Sequence, residues 1–137
     1  MITGVGSVAI LVENARKSAE WYREKLGFEV VGIDGHTVFV KPQGSQSLLL
    51  HLCGRCDGWE DDRPGGRTGI WFQCGETTIR RDERTGQVFP ASNPDDVERT
   101  YFELKNNGVE FSEELTSTNW GKYAIMRDLD GNEFEIS

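Results

Sequence analysis

The side chains best equipped for chemistry lie on strand-like stretches. Near the end of the chain, Asn132-Glu133-Phe134-Glu135-Ile136 alternates polar and apolar residues. A period of two places Phe134 and Ile136 on one face and the carboxylates of Glu133 and Glu135 on the other. That second face is either solvated, the ordinary fate of a strand glutamate, or the wall of a site. His51 has a matching place: from Ser47 to Cys53, Leu48, Leu50 and Leu52 share one face, while Leu49 and His51 take the other. Carboxylate and imidazole are groups that exchange protons or ligate metals. Trp71 and Gln73 alternate with Ile70, Phe72 and Cys74. Ser7, Ala9 and Leu11 alternate with Val8, Ile10 and Val12.

Thiols are the remaining reactive groups. Cys53, Cys56 and Cys74 make an odd count, with no disulfide framework to read from it. Cys53-Gly54-Arg55-Cys56 is a lone C-x-x-C that closes a strand. A zinc site needs a second pair or nearby histidines, and a thioredoxin-type motif opens a helix. The expectation is that the cysteines are incidental. His36, the other histidine, falls in a turn and reads as a surface residue.

These groups need elements to position them. Strand patterns run over 7–12, 28–33, 36–41 and 47–53, with Asp34-Gly35 as a hairpin turn. Between the first two strands, Asn14 caps a helix over 15–26, in which Ala15, Ser18, Ala19, Tyr22 and Leu26 recur at helical spacing, and Gly27 stops it. The second half repeats the order: a strand over 69–74, a helix over 95–107 introduced by Asn93-Pro94-Asp95 and ended by Gly108, and a strand opening at Val109. A polar loop around Trp120 and the hairpin turned by Asp128-Leu129-Asp130-Gly131-Asn132 complete it. The chain is thus an internal β-α-β-β-β duplication, in which His51 aligns with Glu135 and Ser7 with Gly69. Module one spans about 1–54, a Gly-, Pro- and Asp-rich linker about 55–67, and module two about 68–137. An insertion over about 75–92 has the makings of a separate hairpin, as a surface excursion, a lid or a dimer contact.

Bulk properties bound the function. At 137 residues the chain is one domain by size. A net charge of −8 argues against nucleic acid, whose phosphates require clustered Lys and Arg. No apolar run reaches the roughly 20 residues of a membrane span. The N-terminus lacks the blocks of a signal peptide, so the expected location is the cytoplasm.

A duplicated β-α-β-β-β chain carrying Val8-Ala9-Ile10, Ala19-Glu20-Trp21-Tyr22, Leu26-Gly27-Phe28 and the terminal Asp-x-Asp-Gly-Asn hairpin resembles the vicinal oxygen chelate superfamily. Its members include glyoxalase I, extradiol dioxygenases, and fosfomycin- and bleomycin-resistance proteins. The resemblance implies an α+β fold in which two βαβββ modules form a cup-shaped, partly open mixed sheet, with helices on its convex face. Ser7, Leu11, His51, Trp71, Gln73, Glu133 and Glu135 would face the cup, with Trp120 as a further aromatic wall. Catalytic members hold a divalent metal at four equivalent positions, which fall here on Ser7, His51, Gly69 and Glu135. His51 and Glu135 are competent ligands, serine is a poor one, and glycine has no side chain. Cys53, on the same side as His51, is a candidate third donor. The expectation is therefore no cofactor, with zinc, iron, manganese or nickel as the alternative. The leading function is that of a bleomycin-resistance-type protein binding an aromatic or cationic organic molecule. The alternative is a metal-dependent lyase, isomerase or dioxygenase using His51 and Glu135. Without metal, those two residues form a structural pair or supply a general base. The resemblance also implies a homodimer.

Overall fold

A computed structural model describes residues 1–46, 49–54 and 59–137. Among these residues the chain has two helices and ten strands, an α+β arrangement containing the βαβββ order twice. It divides into two compact units, residues 1–66 with 128–132 and residues 67–127 with 133–137. Ser47, Leu48 and the stretch 55–58, which includes Cys56, lie outside the described residues.

In the first unit, β1 (Ser7–Leu11), α1 (Ala15–Leu26), β2 (Phe28–Asp34), β3 (Thr37–Pro42) and β4 (Leu49–Cys53) follow one another. The sheet order is β1-β4-β3-β2. β1 and β4 run parallel, with Ala9 opposite His51 and Leu11 opposite Cys53. The helix bounds match those read from capping: the Asn14 side chain accepts a bond from Lys17 N at 3.0 Å, and Gly27 ends the helix at φ 70°. At that φ a Cβ is strained, which is why glycine stands there. The helix buries Ala15, Ser18, Ala19 and Tyr22 and packs on β2, β3 and β4. Ile10, Val38, Val40, Leu50 and Leu52 are buried in the same core. Replacing Asn14 with alanine removes the cap and is expected to cost about 1 kcal/mol, read as a lower urea midpoint at unchanged slope.

The turn of the C-terminal hairpin belongs to this unit, and hydrogen bonds explain why. Tyr22 Oη donates to Asp128 Oδ2 at 2.7 Å, Ser18 Oγ donates to Asp130, and Glu13 N donates to Asp130 Oδ1 at 2.9 Å. Asn132 Nδ2 donates to Leu11 O at 2.9 Å and to Asp128 Oδ2 at 3.0 Å. The Asp-x-Asp-Gly-Asn signature is thus a set of acceptors and an amide that tie the turn to β1 and α1.

The second unit contains β5 (Gly66–Phe72), β6 (Thr77–Arg81), β7 (Val88–Ser92), α2 (Pro94–Asn106), β8 (Glu110–Ser117), β9 (Lys122–Arg127) and β10 (Asn132–Ile136), except for the first residue of β5 and of β10, which belong to the first unit. Its main sheet runs β5-β10-β9-β8, and β6 pairs with β7 alone. Asn93 caps α2, accepting from Asp95 N at 3.0 Å. Val97, Tyr101 and Leu104 are the helix's buried residues. Ala124, Met126, Phe134 and Ile136 form the buried face of the central strands.

Three expectations change. β5 starts at Gly66 rather than Gly69, because Gly66 N bonds Gly131 O at 3.1 Å and Gly65 N bonds Asn132 Oδ1 at 2.9 Å. Those partners lie at the far end of the sequence, so the segment reads locally as linker. β8 continues to Ser117, with register shifts after Phe111 and Glu113 that break its alternation. Cys53 is disulfide-bonded rather than an incidental thiol.

Candidate functional site

Strand alternation and register set the site in the second unit. Glu135 on β10 stands opposite Ile125 on β9, so its half-buried carboxylate leaves the sheet on the side away from Phe134 and Ile136. Trp71 comes from β5, and its Nε1 donates to Ser137 O at 3.1 Å, which fixes the indole. Trp120 is presented by a turn that threonine closes. Thr118 Oγ1 accepts from Trp120 N at 3.2 Å and from Gly121 N at 3.1 Å, while Thr118 N donates to Gly121 O at 2.7 Å. The Trp120 ring then stacks on Tyr123, with centroids 5.7 Å apart and planes 21° apart. Tyr123 in turn donates to Glu113. That hydrogen bond holds the phenolic proton and pushes its pKa above the ordinary 10.0, with desolvation adding to it.

Trp71, Trp120 and Glu135 line one cavity of about 220 Å³. Pro90 and Ala91 of β7 form another wall. The insertion is therefore a hairpin that contributes to the cavity as well as to the surface. It is fastened at its root, where Ser92 Oγ donates to Ser137 O at 2.8 Å and accepts from Cys74 N at 3.2 Å. A smaller cavity of about 80 Å³, lined by Arg67, Gly69, Ile125 and Glu133, shares Trp71 and Glu135 with the first. Glu133 Oε2 accepts from Ser112 Oγ at 2.6 Å.

The remaining candidates are placed differently. Gln73 lies beyond the end of β5, exposed, with Nε2 donating to Gly75 O at 2.7 Å. In the first unit, His51 is half-buried in β4, its ring tilted on Phe39 with centroids 4.8 Å apart. Ser7 opens β1 opposite Leu49. Leu11 lines a cavity of about 350 Å³ together with Glu13, Trp59 and Arg63. Trp59, which no periodicity places, is thereby on a cavity wall.

Sequence reasoning missed Tyr123, Pro90 and Ala91. Tyr123 was accessible from period two, since it alternates with buried Ala124 and Met126 on the face shared with Ile125. Pro90 and Ala91 had no signal, because the path of the insertion depends on contacts made by Ser92 with residues distant in sequence.

Among the described residues, the donors at the expected positions do not fit a bound transition metal. Such a site wants three or more imidazole, carboxylate or thiolate ligands. The first unit offers Ser7 and His51 at the expected positions, and the second offers Glu135 and a glycine. Cys53 is 1% exposed and disulfide-bonded, so it has no thiolate to contribute. Among the described residues, no three His, Cys, Asp or Glu side chains group to hold an ion.

A family model described as the Glyoxalase/Bleomycin resistance protein/Dioxygenase superfamily matches residues 4–136, and the chain belongs to that superfamily. It is 28% identical over 140 residues to the uncharacterized protein YetH of Bacillus subtilis (strain 168), covering 98% of this chain and 97% of that one. Among solved structures, a superfamily member from Sphaerobacter thermophilus DSM 20745 superposes with a TM-score of 0.70 at 27% identity, over 98% of this chain and 96% of the other. TnmS3, an antibiotic binding protein from Streptomyces sp. CB03234, superposes with a TM-score of 0.68 at 23% identity, over 99% and 95% of the two chains. That last likeness is one of fold. Among the described residues, no helix is long and apolar enough to cross a membrane.

Proposed function

We propose that this protein binds a small organic molecule without a metal, holding a flat aromatic part of it in the second-unit cavity. The observation that carries the reading is the wall made by Trp71 and Trp120 around about 220 Å³. Indole faces supply apolar area and stacking to a flat ring, and both rings are braced, one by a hydrogen bond and the other by Tyr123. Two further points support it. The donor set is too poor for the metal-dependent chemistry of the superfamily's enzymes, and TnmS3, of like fold, is an antibiotic binding protein.

The test is a titration with aromatic antibiotics, followed by the protein's tryptophan fluorescence. Saturable quenching is expected. Trp120→Ala is expected to weaken binding about 30-fold, the effect of losing one aromatic anchor worth about 2 kcal/mol. Absence of binding across such a panel defeats the reading. A stoichiometric transition metal in protein purified without chelator, lost on His51→Ala, would replace it with the metal-dependent one.

A further inference from the structure

We infer that the ligand carries a cationic nitrogen beside its aromatic ring, and that Glu135 is the group that selects for it. This rests on the reading of the cavity as a ligand site and adds the ligand's charge and where that charge sits.

Among the described residues, the ionisable side chains lining the two cavities are engaged except for Glu135. The Lys122 ammonium is paired with Glu98. In the adjoining smaller cavity, Arg67 faces Glu113 at 3.8 Å, and Glu133 accepts from Ser112 at 2.6 Å. Ser92 Oγ and Trp71 Nε1 both donate to Ser137 O. Among the described residues the Glu135 carboxylate has neither a hydrogen bond nor an ion pair. A half-buried carboxylate in that condition favours a cation, and the cations of the protein nearby are committed elsewhere.

Position narrows the chemistry. Glu135 and Trp71 are the side chains lining both cavities, so they stand at the junction of the two. One is a carboxylate and the other an indole, and both attract a cation, by charge and by the ring quadrupole. A ring filling the larger cavity therefore places its nitrogen at the junction when that nitrogen is attached directly or through one carbon. A second substituent on the nitrogen then extends towards Ile125 and Gly69. The larger cavity, at about 220 Å³, lies below the roughly 300–1,000 Å³ of drug-sized sites. It takes a fragment of one or two rings rather than a whole large ligand.

The experiment compares two probes of one shape by calorimetry on the full chain: 1-naphthylmethylamine, a cation at neutral pH, and 1-naphthalenemethanol, its neutral counterpart. The amine is expected to bind the unaltered protein about tenfold tighter or more, as a charge-assisted bond supplies. In Glu135→Gln the ratio of the two affinities is expected to fall towards one. A salt series on the unaltered protein gives a second reading that needs no variant, with the amine weakening as salt rises and the alcohol holding. Equal affinities, a ratio preserved in Glu135→Gln, or a salt-insensitive amine overturns the cation assignment while leaving the aromatic cavity in place. Binding of neither probe overturns both.

Discussion

Replacing Asp128 with alanine is expected to destabilise the protein by about 3 kcal/mol or more, since each buried donor left without an acceptor costs about 1–3 kcal/mol. Asp128 is 6% exposed and serves as a four-way acceptor. Its Oδ1 takes the backbone N–H groups of Asp130 and Asn132, each at 2.9 Å, and its Oδ2 takes Tyr22 Oη and Asn132 Nδ2. Alanine leaves the fully buried Tyr22 hydroxyl and two turn N–H groups without this acceptor. Urea unfolding checks the figure, and a loss below about 1 kcal/mol would show that water replaces the carboxylate. The pH dependence has a definite sign. Burial raises the Asp128 pKa above its ordinary 3.8, and the bonds from Asn132 and Tyr22 offset part of the rise. The folded state therefore holds that proton more tightly than the unfolded chain. Its contribution is fully present below 3.8 and is lost as pH climbs through the raised folded value. Asp128→Asn should accordingly cost most in acid and less as pH rises. Tyr22 stays a neutral donor, since burial and the neighbouring Asp128 charge push its pKa well up.

Phe134→Ala is expected to have a comparable effect, about 3–5 kcal/mol, through the core instead of a polar network. Phe134 is 0% exposed, and its ring stacks on Phe72 with centroids 4.9 Å apart and planes 16° apart. Truncation removes a large buried ring from the middle of β10, the strand that carries Glu133 and Glu135 on its other side. Ligand binding should fail together with stability in this variant, whereas Trp120→Ala should weaken binding and keep its melting temperature. Phe134→Leu should recover most of the loss. Equal destabilisation by leucine and alanine would mean that the stacked ring geometry, rather than the filled volume, holds the strand.

Local rules reach far in this chain. The bounds of α1 follow from Asn14, from Gly27 and from the spacing of Ala15, Ser18, Ala19 and Tyr22, because capping and helical periodicity act within a few residues. Faces of strands are equally legible: alternation sets Trp71, Glu133 and Glu135 opposite the buried apolar face, and the family resemblance made that side a cavity. The early start of β5 was not legible, since Gly65 and Gly66 find their partners at Gly131 and Asn132. Nor was the state of Cys53: an odd cysteine count sets no pairing, and a disulfide depends on geometry.

Sequence by itself determined the duplicated βαβββ order, the α+β class and the helix-facing core. Those are properties of residue type and short-range spacing. Tertiary structure decided that Pro90 and Ala91 join Trp71, Trp120 and Glu135 around one cavity, that Tyr123 braces Trp120, and that the Asp128 turn is fastened to α1. Each of these depends on main-chain paths set by hydrogen bonds between residues tens of positions apart, such as Ser92 to Ser137 and Tyr22 to Asp128. A local pattern specifies which face a side chain takes. It carries no term for which distant side chain will stand opposite.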